Sequence, residues 1–324
     1  MPLFDLSDGI KKGKGLDALD DSKKGRDRAI VLFGGKNNLP SSVMKAERAK
    51  PDPEMDLHQS KRGYANSSPI AKRMKKENAK RKLSAADLRS FSVSCQGCGS
   101  GALSKFPQNI GHTITTLYCP KGGTVFDPFA GHNSRMELCV KAGFNYIGCD
   151  LSKDFMRSNR ERRRQLLGSY PNCHIKLIEG DSRKIKLDNG IGDFTITSPP
   201  YWDIEYYGDE NEQLGKAKSY REFMDDMQLV MNENFRILKP GSYAVWFIND
   251  FRKKGKMYFY HVDIMKIAKK SGFICHDILI TDFGPGIRDC FINQVISQKI
   301  LPKRHEYGIV LRKKEKNHKK KSKK

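Results

Sequence analysis

The run Asp193-Phe194-Thr195-Ile196 leads into Thr197-Ser198-Pro199-Pro200-Tyr201-Trp202, and this junction constrains the fold more than any other stretch. Its β-branched and aromatic residues mark a buried strand. Proline has no N–H to give to a ladder, so the strand must end at Ser198. Two prolines then set a stiff, extended turn at the strand's carboxyl end, which is where open α/β sheets hold their ligands. Tyr201 and Trp202 follow on that rigid backbone, next to a small hydroxyl and to carbonyls without ladder partners. Aromatic faces and acceptors together suit a flat, amino-bearing ring. A Pro-Pro loop with two core aromatics fits the tetrapeptide equally well, so the rest of the chain must decide.

The body begins near Phe106-Pro107. Residues 110–118 suit a helix, and Thr124-Val125-Phe126-Asp127-Pro128-Phe129 reads as a buried strand followed by the turn Ala130-Gly131-His132-Asn133-Ser134. A helix with Met136, Leu138, Cys139 and Val140 on its apolar face stops at Gly143, and Tyr146–Asp150 is a second strand ending in an acid. This is a βαβ unit whose small-residue turn opens a helix, which lets a backbone approach a nucleotide-like ligand. An acid at the tip of the second strand is placed to bind ribose hydroxyls. An arginine-rich helix (153–167), a third strand (175–178) and the loop Glu179-Gly180-Asp181-Ser182 follow. Beyond Tyr201, helices are expected over 219–238 and 260–271, and strands over 243–248, 275–281 and 307–311. Such alternation predicts a mostly parallel sheet flanked by helices. The division read from it is a basic, largely disordered region over 1–105, a catalytic domain over 106–311 and a lysine-rich tail over 312–324. Within the first region, Ala29–Phe33 is the one strand-like run.

The net charge of +23 is uneven: +9 on residues 1–90, +8 on 312–324 and +6 on everything between. Two basic arms on a body with a base-sized receptacle favour phosphate contact, and hence nucleic acid. No apolar run is long enough to span a bilayer, no signal peptide is evident, and eight scattered cysteines suit a reduced interior. These features lead to the expectation of a cytoplasmic, DNA-associated protein, with no membrane partner. Cys95-Gln96-Gly97-Cys98 has ligand spacing, with His112 and Cys119 as the nearest further ligands. Without a second CxxC, a glycine-rich turn carrying two thiols is the better reading, and no metal is expected.

Asp127-Pro128-Phe129-Ala130-Gly131, then Asp150, Asp181 and Ser198-Pro199-Pro200-Tyr201, in that order, resemble the exocyclic-amino DNA methyltransferases that use S-adenosylmethionine. The terminal Arg304-His-Glu-Tyr-Gly-Ile-Val-Leu-Arg312 is similar to a strand common near the end of that family, so the resemblance covers about residues 106–313. It implies a Rossmann-like class I methyltransferase fold with a mostly parallel seven-stranded sheet flanked by helices. It implies that Asp127, Phe129 and Gly131 hold the methionine end of the cofactor, Asp150 the ribose hydroxyls and Asp181 the adenine amino group. Ser198, Pro199, Pro200 and Tyr201 become the catalytic turn, and double-stranded DNA the partner, in a bacterial or phage-infected cell. A restriction endonuclease partner is compatible with this but has no support in the sequence. The chain departs from the family at Asn133, where glycine is common. Asn tolerates a left-handed backbone better than most residues, so the turn is expected to survive. His132 and Arg135 are alternative cofactor contacts.

An exocyclic amine is a poor nucleophile because its lone pair is delocalised into the ring. The Ser198 hydroxyl and the Pro199 carbonyl can accept its hydrogens and aim the lone pair at a methyl sulfonium, so the catalysis expected is positioning plus electrostatics. Tyr201, with Trp202, would stack on a base swung out of the duplex. Carbon-5 methylation needs a cysteine nucleophile, typically after proline, and no Pro-Cys dipeptide occurs. In the resembling family a serine at position 198 leans toward cytosine N4, with adenine N6 as the alternative. Methylation of RNA guanine N2 or of a protein glutamine, and non-catalytic nucleic-acid binding, stay open as rivals. Asp203–Lys218, Asp250–Tyr260 and Phe283–Pro302 are the loops placed to read DNA, with Arg252, Lys253, Lys254 and Lys256 as phosphate contacts.

Overall fold

Parallel strands covered on both faces read as continuous apolar runs, and those runs form the centre of this molecule. The computed structural model describes residues 41–46, 106–205, 207–283, 296–297, 299–301 and 303–315. Residues 42–324 make one unit; residues 1–41 form another, which apart from Ser41 lies outside the described residues. So do Ala29–Phe33, Cys95 and Cys98, and most of Phe283–Pro302.

In chain order the elements are β1 (Val43–Lys45), α1 (Gln108–Tyr118), β2 (Thr124–Asp127), α2 (Ser134–Lys141), β3 (Asn145–Asp150), α3 (Lys153–Ser169), β4 (Ile175–Glu179), β5 (Gly192–Thr197), α4 (Tyr220–Ile237), β6 (Leu238–Ile248), β7 (Phe251–Lys253), β8 (Lys256–Tyr258), α5 (Tyr260–Ser271), β9 (Ile274–Asp282) and β10 (His305–Arg312). Eight strands form one sheet in the order β1-β9-β10-β6-β5-β2-β3-β4. The pairs from β4 through to β6 are all parallel, and β10 is antiparallel to both of its neighbours. This is the Rossmann-like arrangement of class I methyltransferases, with one strand more than the seven expected. The extra strand is β1, which pairs in parallel with β9 through Val43–Lys45. It is too short for periodicity to reveal, and it comes from the segment read as an N-terminal region. A second small sheet, the antiparallel β7–β8 hairpin, fills the expected loop over 250–260.

The strand order reverses between β2 and β5, so the crevice at their carboxyl ends is the switch point where such sheets bind ligands. One apolar layer joins α4 and α5 to β6, through Phe223, Met227, Val230, Met231, Trp246, Tyr260 and Ile264. The opposite layer packs Phe106, Ile110, Met136, Leu138 and Phe144 against Val125, Phe194 and Val245. A buried polar link ties α4 to the sheet: Asn234 Nδ2 donates to Thr195 Oγ1 at 2.6 Å, and Trp246 Nε1 donates to Asn234 Oδ1 at 3.0 Å. On α3 the buried residues Phe155, Asn159, Arg162 and Leu166 follow helical spacing. Arg162 is tolerated inside because its Nε sits 2.5 Å from Glu137 Oε1 on α2.

Gly148, in the middle of β3, lets the β2–α2 turn lie against the sheet. A Cβ there would stand 2.6 Å from the Tyr146 ring and 3.0 Å from Ala130 Cβ. The close approach is used: Ala130 N donates to Cys149 O at 2.8 Å. Gly148→Ala is therefore expected to overpack the turn and cost about 1–3 kcal/mol, read as a lower denaturant midpoint with an unchanged slope.

Candidate active site

Asp127, the last residue of β2, is 0 % exposed. Its Oδ1 accepts from Phe129 N at 3.1 Å and from Thr197 Oγ1 at 2.7 Å. Its Oδ2 accepts from Arg135 Nε at 2.6 Å and from the Tyr146 hydroxyl at 2.9 Å. One carboxylate thus joins β2, its own turn, α2, β3 and the last residue of β5. The Arg135 guanidinium also donates to Phe129 O. Burial would lower its pKa, but the Asp127 carboxylate outweighs this and holds it above the ordinary arginine value. Arg135, expected as an alternative cofactor contact, is instead turned inward to brace the turn. Burial, reinforced by the Asp127 charge, pushes the Tyr146 phenol well above its usual range, so it stays a donor.

The turn is closed by a second carboxylate. Asp150, at the tip of β3, accepts from Gly131 N at 2.7 Å through Oδ2 and from Ser152 N at 2.9 Å through Oδ1. Burial pushes its carboxyl up to about 6, against those two backbone donors, which act to lower it. Gly131 has φ +50, and its carbonyl accepts from Asn159 Nδ2 at 2.9 Å. The left-handed backbone expected at Asn133 is therefore carried by Gly131. Asn133 itself is right-handed, at φ −57 and ψ −5, and stands at the N-cap of α2. Phe129 is half-buried, with its ring edge-on to Trp246 at 6.1 Å.

Asp181 follows β4 along the same rim, where Ser182 Oγ donates to Pro128 O. The Asp181 carboxylate is held by Arg183, whose Nη2 lies 2.9 Å away and whose Nη1 pairs with Asp226 at 2.9 Å. These carboxylates drive the Arg183 pKa upward. No local pattern signals this clamp, because Asp226 comes from α4.

The Ser198–Tyr201 turn lies across the switch point from Gly131, tied to it through Thr197 and Asp127. Ser198 is half-buried, and no described residue donates to its hydroxyl or to the Pro199 carbonyl. The Pro200 carbonyl accepts from the Tyr260 hydroxyl at 3.1 Å. Tyr201 is 5 % exposed, edge-on to Phe251 and Tyr260, and its hydroxyl donates to Glu306 Oε1 at 3.3 Å. Glu306 belongs to β10, so the terminal His-Glu-Tyr strand braces the turn directly. Trp202 has φ +48, a strained backbone for a bulky residue. Its Nε1–H donates to the Ala217 carbonyl at 3.0 Å, and Lys253 Nζ lies 4.0 Å from the ring centroid. Lys253, expected on phosphate, also pairs with Asp203 and is engaged within the protein. Trp202 is thus mostly covered, like Tyr201, and packs among Tyr220 and Tyr258.

Beside this turn, Asp250 receives His261 Nδ1 at 2.5 Å and Lys303 Nζ at 3.7 Å. Burial would raise its carboxyl, but His261 and Lys303 hold it below the usual range. Burial in turn lowers Lys303 to about 8. No group of His, Cys, Asp or Glu among the described residues is placed to hold a metal. Cys119 is buried in the apolar layer. No described helix is long and apolar enough to cross a membrane.

The solved structures most like this one include an S-adenosylmethionine-dependent methyltransferase from Methanosarcina mazei, at 12 % identity over 63 % of this chain and 98 % of that one, TM-score 0.43. A protein described as a DNA modification methylase from Thermus thermophilus is 25 % identical over 42 % of this chain and 52 % of that one, TM-score 0.31. No curated protein matches the sequence. The assignment rests on a family model, described as DNA methylase and named for N6 and N4 methylation, which matches residues 30–161 and 193–324. Both turns fall inside the matched segments, whereas Asp181 falls between them. With most of its length matched, the chain belongs to the N6/N4 DNA methylase family and is an S-adenosylmethionine-dependent DNA methyltransferase.

Proposed function

We propose that the two turns form one methyl-transfer site, and that its acceptor is the exocyclic amine of a base swung out of duplex DNA, cytosine N4 before adenine N6. The observation that carries this reading is the Thr197–Asp127 hydrogen bond, which fixes the Ser198–Tyr201 turn against the cofactor turn. The residues fit the cofactor. Asp150 presents a carboxylate at a strand tip, and Gly131 brings a bare backbone past it. Bound there, S-adenosylmethionine supplies an electrophilic methyl group on a sulfonium. On this reading Gly131 and Phe129 line the methionine end, Asp150 takes the ribose hydroxyls and Asp181, kept in place by Arg183, faces the adenine. Asp127 acts through the turn it braces.

At the acceptor side, the Ser198 hydroxyl and the Pro199 carbonyl accept the amine's two hydrogens. This turns the nitrogen lone pair away from the ring and toward the methyl group. Tyr201 and Pro200 form the wall behind the base, stiffened by Tyr260 and Glu306. Serine is a small, neutral acceptor, which favours the cytosine edge. The β7–β8 hairpin turns through Lys254 (φ +49) and Gly255 (φ +76) and carries Arg252, Lys254 and Lys256. Its charge and position beside Trp202 suit contact with the phosphates flanking the extruded nucleotide.

The test is transfer of a labelled methyl group from S-adenosylmethionine to mixed-sequence duplex DNA, with nucleosides resolved by mass spectrometry. N4-methylcytosine is expected. N6-methyladenine would overturn the choice of base, and label in RNA or protein but not DNA would overturn the substrate.

The raised Asp150 carboxyl predicts a pH dependence. Its ordinary value is near 4, and burial lifts it to about 6. Its contribution to folding stability is therefore complete in acid and is lost as pH rises through about 6. Accepting from ribose hydroxyls requires the ionised form, so cofactor affinity moves the other way. Affinity for S-adenosylhomocysteine is expected to rise about fivefold from about pH 5 to about 6 and to level off by about pH 7. Asp150→Asn should flatten that profile in a calorimetric titration.

A further inference from the structure

Strands β5 and β6 run parallel, so the Ser198 turn, the β7–β8 hairpin and the start of α5 leave the sheet at the same end. The Tyr260 hydroxyl ties the head of α5 to that turn through its 3.1 Å bond to the Pro200 carbonyl. Around it Phe251, Tyr258 and Tyr260 pack into the aromatic cluster behind Tyr201. Phe259 stays out of the cluster. It is 57 % exposed, and every other described Phe, Tyr or Trp is buried or half-buried. It also stands at the N-cap of α5, where Ser, Thr, Asp or Asn ordinarily bonds the first amides, and it makes no such cap. The chain thus breaks two local preferences at one position, on the rim that holds the acceptor turn. A single exposed apolar residue is ordinary in itself; the company of this one is not. Arg252-Lys253-Lys254-Gly255-Lys256 lies just before it, four cations without an acid, with Lys254 and Lys256 exposed. An apolar protein surface is a poor match for that charge. A duplex matches both features, because its phosphates flank a stack of flat bases.

We propose that Phe259 is a wedge that enters the base stack where the acceptor nucleotide has left it. This rests on the reading that the acceptor base is swung out of duplex DNA. Extrusion breaks the stacking on both faces of that base and its pairing with the opposite strand. A ring that fills the gap restores stacking to the neighbouring bases and blocks the return of the extruded one. The exposed hairpin lysines meet the flanking phosphates and hold the backbone against the rim. Phe259 and Tyr260 are adjacent in the chain, and Tyr260 is bonded to the acceptor turn. Insertion of the wedge and seating of the base at Ser198–Tyr201 are thereby referred to one element. Phe259 is a positioning residue: it acts on the duplex and does not touch the amine.

The test uses the full-length protein and two duplexes that carry the methylated site, once sequencing of treated DNA has located it. One duplex is fully paired. In the other the acceptor base faces an abasic position, so it leaves the stack without breaking a pair. Single-turnover methylation is compared for wild type, Phe259→Ala and Phe259→Trp. On the paired duplex Phe259→Ala is expected to be about 10–100-fold slower, the scale for losing one ring–base stack, and Phe259→Trp to stay within about threefold of wild type. On the unpaired duplex all three should agree within about threefold, because the extrusion cost is mostly gone. Affinity for S-adenosylhomocysteine should agree within about twofold throughout, since the side chain is exposed and apart from the cofactor turn. A loss of that affinity in Phe259→Ala would overturn the proposal by marking a residue that shapes the fold. Equal losses of rate on both duplexes would overturn it by marking a general DNA contact, and no loss on either would leave Phe259 without a role in extrusion. Wild-type protein that methylates no base in duplex DNA would instead overturn the extruded-base reading beneath it.

Discussion

Asp127→Ala is expected to destabilise the protein by about 3–5 kcal/mol, because it leaves the Arg135 guanidinium buried beside an empty space. Arg135 Nε is 2.6 Å from that carboxylate, and the side chains are 8 % and 0 % exposed. The Tyr146 and Thr197 hydroxyls would lose their acceptor at the same time. Equilibrium unfolding in denaturant measures the loss. The outcome separates two roles for Asp127. A residue that only touched the cofactor would lower cofactor affinity and leave stability alone. A residue that bolts the two turns together lowers both, and it couples to Arg135: the Asp127→Asn and Arg135→Met pair should be far from additive in a double-mutant cycle.

The second large effect falls on the acceptor turn. Ser198→Ala is expected to reduce kcat for DNA methylation by about 10²–10³-fold, the scale for removing one preorganised polar group at a reacting centre. Ser198 is half-buried and takes no donor from the described protein, so its removal should cost little stability. Affinities for S-adenosylhomocysteine and for duplex DNA should stay within about twofold of wild type, since the hydroxyl acts on the amine only as it reacts. Single-turnover methylation beside two binding titrations gives the comparison. A parallel loss of DNA affinity would assign Ser198 to binding rather than to aiming the amine.

Much of this site is legible along the chain, because each piece is local. Asp150 ends a strand, Gly131 follows another, and the Pro-Pro pair stops a third. The helix over Tyr260–Ser271 has the bounds its periodicity indicates. What stays hidden in the sequence is long-range. Asp127 looks like a ligand in the motif, but its partners Arg135, Tyr146 and Thr197 come from three other elements, 8, 19 and 70 residues away. Arg183 looks like an ordinary basic residue until α4 brings Asp226 beside it. Glu306 could be tied to Tyr201 only by folding, at a separation of 105 residues. Strands of three residues, β1, β7 and β8, carry too few alternations to signal themselves. The departure at Asn133 points to a left-handed residue there, whereas the chain places the positive φ two residues earlier, at the glycine.

Whether the turns after β2 and β5 make a single site is measured most directly by a structure of the protein with bound S-adenosylhomocysteine. The ligand is expected in the crevice between Phe129–Gly131 and Ser198–Pro199, with its ribose on Asp150 and its sulfur facing the Ser198 turn. A ligand elsewhere on the sheet, or one whose sulfur points away from Ser198, would contradict a shared site.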